Sequence, residues 1–312
     1  MGKILSKFPQ SQQDKSYRDY VRGLLKKYKI SPVKWLGQNF LIDEKVLRKI
    51  IEAAELSEND IVLEVGPGIG NLTAELAKRV KKVIAIEKDQ KMIEILEKLL
   101  ESSDVRNVQI IKGDILKLEP KTYNLKPKTY RVVANIPYYL TSPLIRKFLE
   151  TENQPKEMVL MVQKEVAQRI CARPPKMSLL AVSVQFYTKP EIISYISKKS
   201  FWPSPKVDSA ITKISAFNQP RKSAFNQRFF KIVRAGFSQP RKQLINNLSK
   251  NLKVDELKLI STRRSLALAR VIDKIKVRDW LLKNKIQPTQ RAETLNLEDW
   301  INLTKSFIIL ER

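Results

Sequence analysis

The sequence predicts an α/β fold, in which a doubly wound, mainly parallel sheet precedes a small all-helical C-terminal domain. Short apolar segments that suit buried strands alternate with amphipathic helical segments between residues 43 and 162. From residue 218 onward the apolar residues recur at helical spacing, without a convincing strand until the last few residues. With 312 residues, the chain is long enough for about two domains.

The predicted elements follow one another in a regular order. A helix over 43–56 begins at Asp43, a residue type that caps helices well. A strand at 61–65 leads into a glycine-rich turn, after which Asn71 opens a helix that runs to residue 79. Further along the chain we predict a strand at 82–87, a helix at 88–100, strands at 108–113 and 130–134, a helix at 143–149 and a strand at 158–162.

The last predicted strands lie at the edge of the sheet. Residues 181–187 and 191–196 are separated by Thr188-Lys189-Pro190, which predicts two strands that meet at a tight turn. Such a pair makes the edge partly antiparallel, and we expect the sheet to end near Ile214.

These elements divide the chain into three parts. We assign a basic leader to 1–34, a sheet domain to 35–216 and a helical domain to 217–312. We expect the leader to be flexible. The leader could be a transit peptide or a basic tail that contacts RNA. Asp14 and Asp19 argue against a transit peptide, because such peptides contain few acidic residues.

The composition excludes several kinds of chemistry. The chain has 59 Lys and Arg residues against 32 Asp and Glu residues, and its net charge of +27 indicates a polyanionic partner. It contains no His, which excludes imidazole acid–base catalysis and imidazole metal sites. The single cysteine, Cys171, excludes a cysteine-cluster zinc site, and we expect no metal. No apolar segment reaches 18 residues, so we expect no membrane partner.

The basic residues are concentrated in one stretch. Between Asp208 and Asp255 there is no acidic residue, whereas there are ten Lys and Arg residues. Because a merely solvated surface normally mixes both signs, this stretch predicts contacts with phosphates. The candidate RNA contacts are Arg221, Lys222, Arg228, Arg234, Arg241 and Lys242.

The glycine-rich turn and an acidic residue after it predict a cofactor site. Gly66 and Gly68 lie between a strand and a helix, where glycine allows a tight turn and close approach of a ligand. Glu87 ends the next strand, 21 residues after Gly66, where a carboxylate accepts hydrogen bonds from ribose hydroxyls. The pair indicates an adenosine-containing cofactor, and the glycine spacing disfavours NAD. Asp114 could contact the adenine amino group or cap the following helix.

The segment Asn135-Ile136-Pro137-Tyr138 follows the fourth predicted strand of the sheet. Proline can simply end a strand and tyrosine can be a core residue. An amide, a proline and an aromatic ring at this edge also suit methylation of an exocyclic adenine amine. Acceptors could orient the amine while the ring stacks on a flipped base, and neither role requires a strong base.

Seven motifs occur in the order and spacing of one known family. They are GQNFL at 37–41, LEVGPGIGNLT at 63–73, AIEKD at 85–89, GDIL at 113–116, NIPYYLTSPLI at 135–145, FWPSPKVDSA at 201–210 and RAETLNLEDW at 291–300. From Trp35 to Phe307 the chain therefore resembles the KsgA-type ribosomal RNA adenine N6,N6-dimethyltransferase family, which implies a Rossmann-like methyltransferase sheet.

The resemblance also implies a cofactor and site residues. S-adenosyl-L-methionine would bind at Asn39, Leu41, Gly66, Gly68, Glu87, Asp114 and Asn135. Asn135, Pro137 and Tyr138 would form the catalytic motif, and Phe201 would help to sandwich the target adenine. From spacing alone, Phe201 could instead be a core residue. Pro240 stands where relatives commonly carry Arg, which puts the RNA contacts of Arg241 and Lys242 in doubt.

The activity that the resemblance implies is N6,N6-dimethylation of two adjacent adenosines near the 3′ end of small-subunit ribosomal RNA, with a role in subunit biogenesis. The expected partner is this RNA or the pre-small-subunit particle, bound by a monomer in the cytoplasm, with the mitochondrion as the alternative location. Three other functions stay open: an antibiotic-resistance methyltransferase of large-subunit RNA, a largely non-catalytic assembly factor, and a DNA adenine methyltransferase.

Overall fold

The computed structural model describes residues 14–30, 32, 38–102, 104–119, 125–215, 224–252 and 273–307. These residues form two compact units. The first contains the described residues up to Gln168 together with 188–215, and the second contains 169–187 and the described residues from 224 onward. The second unit thus includes residues 169–187, which we had assigned to the sheet domain from the sequence.

Nine strands and eleven α-helices make up the described part of the chain. The strands are β1 (Phe40–Leu41), β2 (Ile61–Val65), β3 (Lys82–Glu87), β4 (Val108–Lys112), β5 (Tyr130–Asn135), β6 (Glu157–Gln163), β7 (Lys189–Ile196), β8 (Phe201–Trp202) and β9 (Ser209–Ser215). The helices are α1 (Asp14–Lys27), α2 (Glu44–Ala53), α3 (Asn71–Ala77), α4 (Gln90–Glu101), α5 (Thr141–Glu150), α6 (Lys164–Ile170), α7 (Leu179–Tyr187), α8 (Ala224–Gly236), α9 (Leu244–Asn251), α10 (Lys274–Lys283) and α11 (Leu297–Ser306).

The first unit is built on a seven-stranded sheet in the order β4-β3-β2-β5-β6-β9-β7. The five strands from β4 to β6 are parallel, whereas β9 pairs antiparallel with both β6 and β7. The predicted α/β fold with a parallel sheet and an antiparallel edge is confirmed. Strands β2 and β3 have the predicted bounds, and Asp43 caps α2 by accepting the N–H groups of Lys45 and Val46.

A charge network with a buried centre at Arg131 and Glu157 joins the strands at the end of the sheet where the parallel strands begin. Arg131 on β5 lies opposite Glu157 on β6, and their side chains form an ion pair of 2.6 Å. Lys213 on β9 pairs with the other oxygen of Glu157 at 3.3 Å and with Glu55 at 2.9 Å. Asp60 adds a further ion pair, with its Oδ2 atom 3.3 Å from Arg131 Nε. The network fixes the register of β5, β6 and β9 relative to one another.

The predicted strand at 181–187 is wrong, because these residues belong to helix α7. The helix is apolar on most sides, and Ala181, Val182 and Phe186 are buried in the second unit. The Phe186 ring stacks on Phe229 of α8 with centroids 4.0 Å apart. A short, apolar and β-branched segment gives no periodicity that separates a buried helix from a buried strand.

The expectation of a flexible leader is wrong for residues 14–30. Helix α1 buries Tyr17, Val21 and Leu25 in the hydrophobic core of the first unit, against α2. The turn after the helix is fixed because the Lys91 ammonium donates to the Lys29 carbonyl at 2.8 Å. Helix α1 carries mostly basic residues on its exposed side, and its apolar residues recur at helical spacing on the other side.

The second unit is helical in its described part. Gly236 ends α8 where a side chain would meet the ring of Trp300 on α11, so the two helices approach closely. Asn247 on α9 donates from Nδ2 to the carbonyls of Gly236 and Gln239, which holds the turn between α8 and α9. None of the described helices combines the length and apolar character needed to cross a bilayer.

We expect Val21→Asp to lower the free energy of unfolding by about 3 kcal/mol or more, because it places a carboxylate at a fully buried position of α1. Urea unfolding measures the effect. Lys26→Gln, on the exposed side of the same helix, changes the net charge by the same amount and should shift the free energy of unfolding by less than about 0.5 kcal/mol. Equal losses in both variants would contradict the packing of α1.

Candidate active site

A cavity of about 290 Å³ lies where the parallel strands of the first unit end. Because β2 pairs in parallel with both β3 and β5, their carboxyl ends meet at one edge. Gly66 leaves β2, Glu87 ends β3 and Asn135 ends β5, and all three residues line the cavity.

The glycine-rich turn forms one wall of the cavity with its backbone. Gly66 and Gly68 have φ angles of +68° and +57°, which residues with a side chain adopt only with strain. The N–H of Gly66 donates to the Ile86 carbonyl at 2.9 Å, and the N–H of Gly68 donates to Glu87 Oε2 at 3.2 Å. The turn is therefore bonded to the end of β3, and its bare backbone faces the cavity.

Glu87 is held by three backbone N–H groups. Its Oε1 atom accepts from Lys88 at 2.7 Å and from Asp89 at 2.9 Å, in addition to the bond that Oε2 accepts from Gly68. Burial raises the pKa of the Glu87 carboxyl, and these hydrogen bonds oppose the rise. The carboxylate is thus fixed in position at the cavity wall, as an acceptor for ribose hydroxyls must be.

The segment 38–41 covers another side of the cavity. Asn39 and Leu41, both predicted cofactor residues, line the cavity. The Leu41 carbonyl accepts from Asn71 Nδ2 at 3.2 Å, and Gln38 Nε2 donates to Asp89 Oδ2 at 3.2 Å. Both ends of the segment are therefore tied to the loops that carry the glycine-rich turn and Glu87.

The predicted catalytic residues lie together on the remaining side. Asn135, Pro137, Tyr138 and Phe201 all line the cavity. The Tyr138 hydroxyl is 2.8 Å from Ser209 Oγ, and burial raises the pKa of this phenol. Phe201 is only 3% exposed and belongs to the hydrophobic core, so the structure places it in the core and in the cavity wall at once.

Asp114 is the one predicted cofactor residue that is not among the described residues lining the cavity. Its Oδ1 atom accepts the N–H of Leu116 at 3.0 Å, and Oδ2 pairs with Lys88 at 3.3 Å. The carboxylate therefore caps the turn at 115–118, and these residues do not form the helix that Asp114 was expected to cap. The contact with the adenine amino group stays a prediction. Lys88 itself lines the cavity.

Several residues that line the cavity were not predicted, and Tyr139 and Glu64 are two of them. Tyr139 follows the Asn135–Tyr138 motif and is 56% exposed at the cavity. Glu64 lies on β2 and is 1% exposed, and within the described chain its Oε2 atom has no hydrogen-bond partner. Burial, with a contribution from the Glu87 carboxylate, raises the pKa of Glu64 to about 8. The available signal was a single acidic residue in the otherwise apolar strand IVLEV.

The cavity fits the cofactor that the motifs imply. Glycines without side chains leave room for a ligand against the backbone, and Glu87 can accept from ribose hydroxyls. Within the described residues, neither Oε2 of Glu64 nor the buried Oδ1 of Asn71 has a hydrogen-bond partner, so both atoms offer acceptors to a cationic group in the cavity. S-adenosylmethionine supplies an electrophilic methyl group when it is bound. Together the sheet and the cavity define a Rossmann-like methyltransferase.

Comparisons with known proteins specify the family. A family model described as "Ribosomal RNA adenine dimethylase" matches residues 33–289. The "Ribosomal RNA small subunit methyltransferase A" of Dehalococcoides mccartyi (strain CBDB1) is 40% identical over 283 residues, which are 90% of this chain and 90% of that protein. The protein of the same name from Geobacillus sp. (strain WCH70) is 39% identical and covers 91% of this chain and 94% of its own length.

Two solved structures are similar over most of the chain. A dimethyladenosine transferase from Plasmodium falciparum has a TM-score of 0.70 and 30% identity, and covers 87% of this chain and 98% of its own. The 23S rRNA methyltransferase ErmE has a TM-score of 0.67 and 26% identity, and covers 86% of this chain and 98% of its own. The chain belongs to the ribosomal RNA adenine dimethylase family. The predicted family, the methyltransferase activity and the cofactor S-adenosylmethionine are confirmed.

The candidate RNA contacts lie in the second unit, where four of them are described. Arg221 and Lys222 lie outside the described residues. Arg228 is half-buried, whereas Arg234, Arg241 and Lys242 are exposed. The Lys242 N–H donates to the Gln239 carbonyl at 3.0 Å, which closes a turn with Pro240 at its second position, where proline is favoured. The described turn accommodates Pro240 and leaves both basic side chains in solvent, and their contact with RNA stays a prediction.

The raised pKa of Glu64 predicts a pH-dependent stability. Since an unfolded glutamate ionises near pH 4.5 and the folded one near pH 8, the unfolded state binds fewer protons in between, and stability falls as pH rises through this window. Glu64→Gln removes this pH-dependent loss of stability, because glutamine does not ionise. We expect the variant to gain on the order of 3 kcal/mol over the parent chain between pH 4.5 and pH 7, measured by urea unfolding.

The exposed Glu58 provides the control for this comparison. Glu58→Gln replaces an exposed side chain and should change the free energy of unfolding by less than about 0.5 kcal/mol. If Glu64→Gln gave a constant difference from the parent chain over the same pH range, Glu64 would be ionised in the folded chain at neutral pH.

Proposed function

We propose that this protein dimethylates N6 of two adjacent adenosines near the 3′ end of small-subunit ribosomal RNA, acting as a monomer on the pre-small-subunit particle in the cytoplasm. The observation that carries the proposal is the placement of Asn135, Pro137 and Tyr138 in the same cavity as Gly66 and Glu87. The printed names of the relatives from Dehalococcoides and Geobacillus support the small subunit as the substrate.

The motif can orient an amine without a strong base. The Pro137 carbonyl already accepts the Leu140 N–H at 2.9 Å, so we assign the Asn135 side-chain oxygen and the Ile136 carbonyl as the acceptors for the adenine amino group. Hydrogen bonds from the amino group to these oxygens direct its lone pair towards the methyl donor. The Tyr138 ring, fixed by its hydroxyl on Ser209, offers a stacking surface for a flipped adenine.

Methylation of large-subunit RNA is a second candidate function. The similarity to ErmE over 86% of this chain favours it, because the printed name of that protein specifies 23S rRNA. The motif of this chain continues with Thr141-Ser142-Pro143 and the chain carries RAETLNLEDW at 291–300, which favours the small-subunit substrate. Both candidates use the same reaction at the same cavity, so only the substrate distinguishes them.

The test is methyl transfer from labelled S-adenosylmethionine to undermethylated small subunits, large-subunit RNA and duplex DNA, followed by mapping of the modified base. We expect dimethyladenosine at two adjacent positions near the 3′ end of the small-subunit RNA. Modification of large-subunit RNA alone would identify the second candidate. RNA binding without methyl transfer to any substrate would contradict both and favour an assembly factor.

Removal of the Asn135 amide should stop the chemistry while RNA binding persists. We expect Asn135→Ala to reduce kcat by at least 100-fold, because one acceptor for the reacting amine is lost, and to change the Kd for small subunits less than about twofold. Asn302→Ala, at an exposed position of α11, is the matched control and should retain full activity. A parallel loss of RNA binding in Asn135→Ala would argue that the residue is structural.

A further inference from the structure

A second cavity, of about 310 Å³, lies in the first unit and is lined by lysines. Lys164 begins α6 directly after β6, Lys198 lies in the turn after β7, and Lys206 lies in the loop before β9. Lys198 and Lys206 are exposed, and Lys164 is half-buried. Within the described residues, none of these three lysines forms an ion pair with a carboxylate.

The acidic residues of this lysine cavity do not neutralise it. Asp208 holds the cavity together, because its Oδ1 atom accepts the N–H of Lys198 at 3.0 Å and its carbonyl accepts the N–H of Lys164 at 3.0 Å. Ser204 adds a bond from its hydroxyl to the Lys198 carbonyl at 2.9 Å. Glu165 is exposed, and three ammonium groups face two carboxylates. The backbone bonds fix the lysine-bearing segments and leave the cavity with a positive excess.

An aromatic ring supports one of the lysines. The Lys164 ammonium lies 5.3 Å from the centroid of the Tyr195 ring, a cation–π distance. Tyr195 is on β7 at the edge of the sheet and is 52% exposed, and Val207 beside the lysines is 45% exposed. A positive cavity with exposed apolar and aromatic surface is typical of a site for a nucleic acid strand.

The lysine cavity is next to the active site along the same edge of the sheet. Ser209, which bonds the Tyr138 hydroxyl, directly follows Asp208 of the lysine cavity. Ser209 opens β9, which is separated from β5 and its Asn135 only by β6, so the two strands lie about 10 Å apart, which is two strand spacings. A strand whose adenosine enters the active cavity would therefore pass this second cavity.

We propose that Lys164, Lys198 and Lys206 bind the phosphodiester backbone of the RNA strand next to the adenosine that is being methylated. The inference rests on the proposed function and adds to it a binding site in the sheet unit, apart from the basic stretch of the second unit. An acidic protein segment is disfavoured as the occupant because the cavity adjoins the motif that handles the base. Removal of these charges should weaken RNA binding and leave the chemical step unchanged.

The test compares the double variant Lys164→Gln/Lys206→Gln with Lys81→Gln/Lys98→Gln as a charge-matched control. Lys81 precedes β3, which is the second strand from the opposite edge of the sheet, and Lys98 lies on α4. Both lysines are exposed. Steady-state methyl transfer to undermethylated small subunits is measured between 0.05 and 0.3 M salt. For two lost contacts to a single strand, the slope of log(kcat/KM) against log[salt] should become shallower by about 1.4, with kcat/KM about 25-fold lower near 0.1 M salt and kcat unchanged.

Equal slopes in the two double variants would overturn the proposal, as would a loss confined to kcat. The failure of the proposed function has a different signature, because the parent chain itself would then not methylate small subunits. The salt slope is a property of bound phosphates, so a structural effect of the substitutions would not reproduce it.

Direct mapping gives a second, independent outcome. Because Cys171 is the only cysteine, Val207→Cys in a Cys171→Ser background provides a single attachment point in the lysine cavity for an iron chelate. Hydroxyl-radical cleavage of small-subunit RNA within a few nucleotides of the methylated adenosines would support the proposal. Cleavage confined to distant RNA, or none from a variant that still methylates, would overturn it.

Discussion

The parallel pairing of β2 with both β3 and β5 determines where the chemistry of the first unit lies. Leu63 at the middle of β2 faces Ile84 on one side and Val132 on the other, so the three strands end together. A one-residue slip of β2 would turn Glu64 away from the cavity, since strand side chains alternate between faces. At the other end, the Arg131–Glu157 pair fixes β5 against β6. The buried charges therefore hold the register on which the catalytic edge depends.

Much of the sheet was predictable because its strands are short, apolar and bounded by turn residues. The segments at 61–65 and 82–87 have the predicted bounds, and Asp43 caps α2 as its residue type suggested. Most site residues were predictable for a related reason: motifs at the carboxyl ends of parallel strands must meet. The cavity therefore contains nine of the ten residues expected to hold the cofactor or the adenine, Asp114 being the exception.

The failures also have physical causes. Helix α7 is apolar on most sides because it is buried within the second unit. Its nine residues therefore show no alternation of polar and apolar positions with the helical period of 3.6. Asp114 has the right spacing along the chain, but its carboxylate is engaged by the N–H of Leu116 and by Lys88. Glu64 was not predicted as a cavity residue, because it lies in a buried strand and only the folded sheet shows that its side chain reaches the cavity. Side-chain direction and local bonding are tertiary properties that spacing does not contain.

Helices α1 and α11 lie outside residues 33–289, the segment that the family model matches. Each end contributes to a core: Val21 of α1 and Trp300 of α11 are both fully buried. In a recombinant chain trimmed to residues 33–289, the core residues that pack against Val21 and Trp300 would be exposed to water. Contiguous apolar surface of this kind promotes self-association. The limits of the family model and the limits of the folding units therefore do not coincide in this protein, and both terminal helices belong in the expressed chain.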